Sequence, residues 1–179
     1  MKKYIQIMIS LIMTASLTAC APKINQNTSD ESDKQFNSTP HAVYEIYTLY
    51  FADLEQSRLV KEEHELRIQE DVSKEKLILD TLKMGPKSNQ LTAPLAESAV
   101  IHSIKTVSGL CTIDISDQFL NTTDENIKAT NLMLHAIVQS LCELETVQQV
   151  KINIDGNTTA KINNEIDLSQ PIYPNMENI

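Results

Sequence analysis

In 179 residues the chain sets 24 Asp and Glu against 15 Lys and Arg, a formal charge of −9, with 41% hydrophobic residues, no tryptophan and three glycines. Such an acidic chain with no basic cluster is a poor match for nucleic acid, where affinity comes mainly from Lys and Arg on phosphates, and for lying flat on anionic lipid. The length suits one domain plus a linker.

Lys2 and Lys3 precede an apolar run that ends in Leu17-Thr18-Ala19-Cys20. A basic start, a short greasy run and small residues before a break predict a secretory signal peptide over residues 1–19. The run is about 14 residues, short of the roughly 20 that span a bilayer. Its end resembles the lipobox of bacterial lipoproteins. In that family the cysteine thiol is joined to a diacylglycerol and becomes the new N-terminus, which assigns lipidation to Cys20. Each buried methylene contributes about 0.8 kcal/mol, so two acyl chains hold a protein on a membrane where one does not. The expected first partner is then the membrane, reached through the lipid anchor on the extracytoplasmic face. The competing account is an ordinary cleaved signal with a chance cysteine. Loss of residues 1–19 removes Lys2 and Lys3 and takes the charge from −9 to −11.

Residues 20–42 begin with Cys20 and continue through a polar stretch rich in Asn, Ser and Asp with no apolar period. Such a segment buries too little surface to offset its chain entropy, so a flexible tether is expected. A domain then occupies 43–179. Residues 43–51 are dense in β-branched, leucine and aromatic side chains and predict a strand. Its aromatic residues Tyr44, Tyr47, Tyr50 and Phe51 form either a binding face or a strand covered on both sides. At least one of Tyr47 and Phe51 is expected to face outward. A turn follows over 52–57. Residues 58–68, charged in the middle and apolar at the ends, read as a second extended segment, with helix the alternative on propensity.

Ser73 reads as an N-cap, with helix over 74–84 and Gly85-Pro86 as its stop. Residues 87–97 read as loop, and 100–107 with 110–116 as a hairpin about Ser108-Gly109. Alternation along its second arm turns Cys111, Ile113 and Ile115 to one face, the inner one. Thr122 with Glu125 forms a capping box for the longest helix, which runs to about Leu144 with one apolar stripe of Ile127, Leu134, Ile137, Val138 and Leu141. Residues 150–154 alternate as a strand. Asp155-Gly156 is a hairpin signal, with 160–162 expected to return along it. This order favours an α+β fold, a two-layer sandwich of a mixed β-sheet with two helices on one face.

The pieces Tyr50-Phe51-Ala52-Asp53, Leu82-Lys83-Met84-Gly85-Pro86, Val107-Ser108-Gly109-Leu110-Cys111 and Val150-Lys151-Ile152-Asn153-Ile154-Asp155-Gly156, in that order and spacing, resemble the GerMN domain of sporulation and spore germination proteins. The likeness covers roughly Tyr44 to the C-terminus and favours strand over helix at 58–68. It implies an envelope protein rather than an enzyme, with a fold like the ring-building motif of secretion-system rings, and supplies no catalytic residues to carry over. Members are often lipoproteins. The name-giving member, which helps assemble a channel complex, carries two such domains where this chain has one, a departure from the pattern its role rests on.

The remaining chemistry is sparse. His41, His64, His102 and His135 show no spacing typical of zinc, and no metal or cofactor is expected. Asp114, Asp117 and Asp124 crowd one region but read as strand-end and helix-start residues. Cys111 and Cys142 permit a disulfide in an exported chain, or pack as small buried apolar residues. The expected function is a membrane-anchored, non-catalytic scaffold or interaction domain, in sporulation or germination, whose partners are envelope proteins or further copies of itself. The alternative is an extracytoplasmic small-ligand binding lipoprotein or an envelope enzyme.

Overall fold

The computed structural model describes residues 42–121 and 126–175. Residues 1–41, where the signal peptide and most of the tether are expected, with Cys20 and His41 among them, lie outside the described residues, as do Asp124 and the expected capping pair Thr122 and Glu125. The elements are β1 (Tyr44–Asp53), β2 (Leu59–Arg67), α1 (Lys74–Met84), β3 (Leu91–Thr92), β4 (Ile101–Val107), β5 (Leu110–Ile115), α2 (Ile127–Cys142), β6 (Gln149–Ile154), β7 (Lys161–Ile162) and β8 (Ile166–Asp167). The class is α+β, as the sequence indicates. Among the described residues no helix is long and apolar enough to cross a membrane.

The strands divide between two three-stranded sheets, where the sequence pattern led us to expect one. The first, in the order β2-β1-β3, is antiparallel throughout; the second, β4-β5-β6, is mixed; β7 and β8 form a small hairpin. β1 pairs with β2 from Tyr44↔Arg67 to Ala52↔Leu59 but with β3 only at Ala52 and Asp53. β4 turns into β5 through Ser108 and Gly109, at φ +50° and +83°, the left-handed pair that a two-residue hairpin demands. β5 and β6 run parallel from Leu110↔Gln149 to Ile115↔Ile154, joined by α2 as the crossover that parallel strands require.

Helix α1 has the expected bounds. The Lys76 amide donates to Ser73 Oγ at 3.2 Å, and at the far end Gly85 adopts φ +96° while its amide donates to the Thr81 carbonyl at 3.0 Å. A left-handed residue there favours glycine. Ile78, Leu79 and Leu82 are fully buried, each contributing about 1.5–3 kcal/mol of burial.

Helix α2 departs from expectation in two ways. Its cap is Asn126, whose Oδ1 accepts the Ala129 amide at 3.0 Å. It is also buried nearly all round rather than along one stripe. Leu134, Ile137, Val138 and Leu141 join the main core with Leu49 and Phe51. Leu132, Met133 and Ala136 close a second cluster with Tyr50, Ala52 and Leu59 on the other face of β1. The reason is its position. β3 leaves most of one edge of β1 unpaired, and α2 lies there: Ser140 Oγ accepts the Tyr50 amide at 2.8 Å and donates to the Ala136 carbonyl at 2.7 Å. A helix hydroxyl takes the place of a neighbouring strand.

Two smaller expectations are corrected. The Asp155-Gly156 turn exists, with φ +48° and +77°, but residues 160–162 do not return along β6. Ile172 occupies that edge, exchanging bonds of 2.9 and 2.7 Å with Val150, and β7 pairs with β8 instead. Tyr47 and Phe51 share one face of β1, four residues apart, and both are buried; Tyr44 is the aromatic residue left exposed.

Candidate interaction surface

The ionisable side chains of the core and its rim hold loops in place. Glu62 on β2 accepts the amides of Lys87 at 2.9 Å and Ser88 at 3.0 Å, and its Oε2 lies 3.0 Å from His64 Nε2. Burial is the largest influence on Glu62 and opposes its ionisation; the Lys87 amide, the His64 imidazole and the Ser88 amide together outweigh it and hold the carboxyl below its usual range. Lys151 on β6 donates to the carbonyls of Thr158 at 2.7 Å and Leu168 at 2.5 Å, tying the C-terminal segment down. Burial lowers its pKa. On β1 and α1, Lys74 Nζ sits 2.6 Å from Glu45 Oε2 and 5.8 Å from the Tyr47 ring centre, and Tyr47 donates to the same carboxylate. The Lys74 bond first, then Tyr47, keeps Glu45 low.

The acidic residues singled out from the sequence separate by role. Asp114 Oδ1 accepts the Gly156 amide at 2.8 Å, while the Asp117 amide donates to Asp155 Oδ2 at 3.1 Å. Asp155 also meets His102 Nε2 at 2.9 Å. These groups brace the turn after β6. His64 and His102 each face one carboxylate. His135, half-buried on α2, has its pKa lowered by burial, and its Nδ1 has no hydrogen-bond partner among the described residues. Among the described residues no group of three or more His, Cys, Asp or Glu is placed to hold a metal ion.

Cys111 points into the core as the alternation predicts. It and Cys142, half-buried at the end of α2, are free thiols in the structure. Burial raises Cys111, and burial followed by the neighbouring Cys111 and Glu143 raises Cys142 to about 11. Both therefore resist ionisation and are poor nucleophiles at neutral pH.

The surface offers two kinds of feature. A cavity of about 330 Å³ opens beyond the C-terminal ends of β5 and β6, lined by Asp117, Phe119, Leu120, Thr130 and Lys161 among others. A wider depression of about 490 Å³ runs between α1 and β4, past Lys76, Asp80, His102 and Ile104. Beside them lie the sheet edges and exposed apolar side chains, including Ile46 and Tyr44 on β1, Val107 at the β4–β5 turn and Tyr173.

The profile of the Germane family, described as sporulation and spore germination, matches residues 48–160. The chain belongs to that family. Three solved structures share the fold of this Germane domain. The tandem GerMN domains of the sporulation protein GerM from Bacillus subtilis match at 18% identity and TM-score 0.57 over 74% of this chain and 46% of that one. The first GerMN domain of the same protein matches at 22% and 0.53, over 63% and 84% of the two chains. A Clostridium perfringens protein described as a candidate lipoprotein matches at 16% and 0.51, over 73% and 87%. The match thus spans about half the length of the tandem-domain structure. No curated protein matches the chain.

The residues that sequence reasoning missed are Ser140, Lys151 and Glu62. A serine in the middle of an apolar helix is the one local hint, because mid-helix hydroxyls bond back to the preceding turn. Nothing local marks Glu62 or Lys151, whose partners lie 25 and 17 residues away at Lys87 and Leu168.

Proposed function

We propose that this Germane-family chain is a membrane-tethered, non-catalytic scaffold or interaction domain on the outer side of the cytoplasmic membrane, lipidated at Cys20 and acting in sporulation or germination. The observation that carries it is the order of the N-terminal sequence: two lysines, a short apolar run, then Leu17-Thr18-Ala19-Cys20. Two facts support it further. The family is one of sporulation and spore germination, and a fold relative is itself described as a candidate lipoprotein. The charged groups Glu62, Lys151, Asp114 and Asp155 each hold a backbone loop, an investment in shape rather than in a reacting centre. A tether raises the local concentration of the domain near membrane partners without adding a contact. The partners are envelope proteins or further copies of the chain.

The test is Cys20→Ser in the source cell. Mass analysis of the processed wild type is expected to show a diacylglycerol adduct at residue 20, with the protein in the membrane fraction and the variant released. An unmodified thiol on a freely soluble wild type would refute the proposal.

A further inference from the structure

We propose that the cavity of about 330 Å³ beyond β5 and β6 binds a free amino acid with a bulky apolar side chain, a property additional to the scaffold role and independent of the lipid anchor. Its size lies at the lower end of the roughly 300–1,000 Å³ of small-molecule sites, which suits a monomer rather than a polymer. It also lies outside the carboxyl ends of a parallel pair of strands, where sheets with crossover helices leave a crevice.

The floor is apolar and only partly covered. Phe119 is buried there, while Leu120, Ile154 and Ile162 line the same cavity and remain half-buried. Apolar surface left facing water in a concave site favours an occupant that covers it. The walls are set before any ligand arrives. The Ala96 amide donates to the Phe119 carbonyl at 2.8 Å, and Leu95 bridges to Leu120. Ile154 and Asn157 exchange bonds of 3.2 and 2.8 Å, and the Leu168 amide donates to the Ala160 carbonyl at 3.0 Å. Gln118, between the end of β5 and Phe119, is held at φ +32°, a left-handed conformation that a residue other than glycine keeps only where its surroundings impose it. A preformed site loses little conformational freedom on binding.

Charge selects the ligand. The rim carries one acid, Asp117, and one base, Lys161; both are exposed, and neither side chain has a hydrogen bond or ion pair among the described residues. Asp117 engages its neighbours through its backbone amide, which donates to Asp155 Oδ2 at 3.1 Å. Asp167, opposite Lys161 in the β7–β8 ladder, turns instead to the Ser169 amide at 2.8 Å. Opposite charges held apart above an apolar floor complement a zwitterion, with its ammonium toward Asp117, its carboxylate toward Lys161 and its side chain over Leu120 and Ile162. A fatty acid or an alkylamine satisfies one pole only. The depression between α1 and β4 offers no such pair, because Lys76 Nζ is held by Asp80 at 2.5 Å and His102 by Asp155 at 2.9 Å.

The test uses the full-length chain as purified from the source cell, with leucine and phenylalanine as probes. Hydrogen exchange across residues 117–120 and 154–163 is expected to slow about threefold or more with about 10 mM of either, and calorimetry to give a Kd below about 1 mM. 4-Methylpentanoate, which lacks the ammonium, and isopentylamine, which lacks the carboxylate, should bind on the order of tenfold more weakly, and so should leucine to Asp117→Asn or Lys161→Gln. Both positions are exposed, so these variants should melt with the wild type. Unchanged exchange in those segments with both amino acids, equal protection by leucine and 4-methylpentanoate, or leucine binding indifferent to both substitutions would overturn the assignment. None of these results bears on the membrane fractions of wild type and Cys20→Ser, so failure of the ligand site and failure of the scaffold reading are told apart.

Discussion

Ser140→Ala tests the edge-on packing of α2 against β1. The hydroxyl is buried and accepts the Tyr50 amide at 2.8 Å. Its removal strands that amide, at about 2 kcal/mol for an unsatisfied buried donor. Alanine recovers about 0.5 kcal/mol through its better helix propensity. The net loss is about 1.5 kcal/mol, which lowers Tm by about 5 °C for a domain of this size. Denaturant melts measure the first quantity and thermal melts the second. Hydrogen exchange at the Tyr50 amide gives a local readout, because that proton should lose its protection ahead of its neighbours on β1. Tyr50→Phe is the companion variant. It removes the 2.7 Å bond from the phenol to Glu143 Oε1 and the contact with the Gln139 side chain and should leave the Tyr50 amide protected. A Ser140→Ala protein as stable as wild type, with that amide still protected, would show that the hydroxyl does not stand in for a strand.

Glu62→Gln should destabilise the domain by about 1.5 kcal/mol at pH 7, through loss of charge-assisted bonds to the Lys87 and Ser88 amides. Because the folded carboxyl titrates below its usual 4.5, the ionised form stabilises above that value, and the advantage is lost as pH falls through the folded pKa. The gap between variant and wild type should therefore narrow in melts taken at progressively lower pH; a gap that widens on acidification would contradict the assignment. Native protein at pH 8 should resist iodoacetamide at Cys142, since a thiol raised to about 11 is roughly one part in a thousand thiolate there. Denaturation without reductant should then expose both Cys111 and Cys142 as two mass adducts; absence of both adducts would instead reveal a disulfide between them.

Local chemistry in the sequence determined much of this fold. Ser73 and Gly85 bound α1 because a cap and a left-handed stop act within one turn. Ser108-Gly109 and Asp155-Gly156 bend where positive φ is needed, and the two-residue period of β5 turns Cys111 inward. The expectation of an N-terminal signal and the family likeness also rest on order and spacing in the sequence alone. Tertiary structure decided what local pattern does not encode. α2 is buried on nearly all sides because β1 offers it an open edge with apolar residues on both faces, a fact of neighbours rather than of helical period. Residues 160–162 do not return along β6, because Ile172 pairs with Val150 on that edge and β7 pairs with β8. β3, two residues long, has no periodicity to read. Which strand edges are covered depends on groups distant in the chain, such as Lys87 and Ser140, that only folding brings alongside.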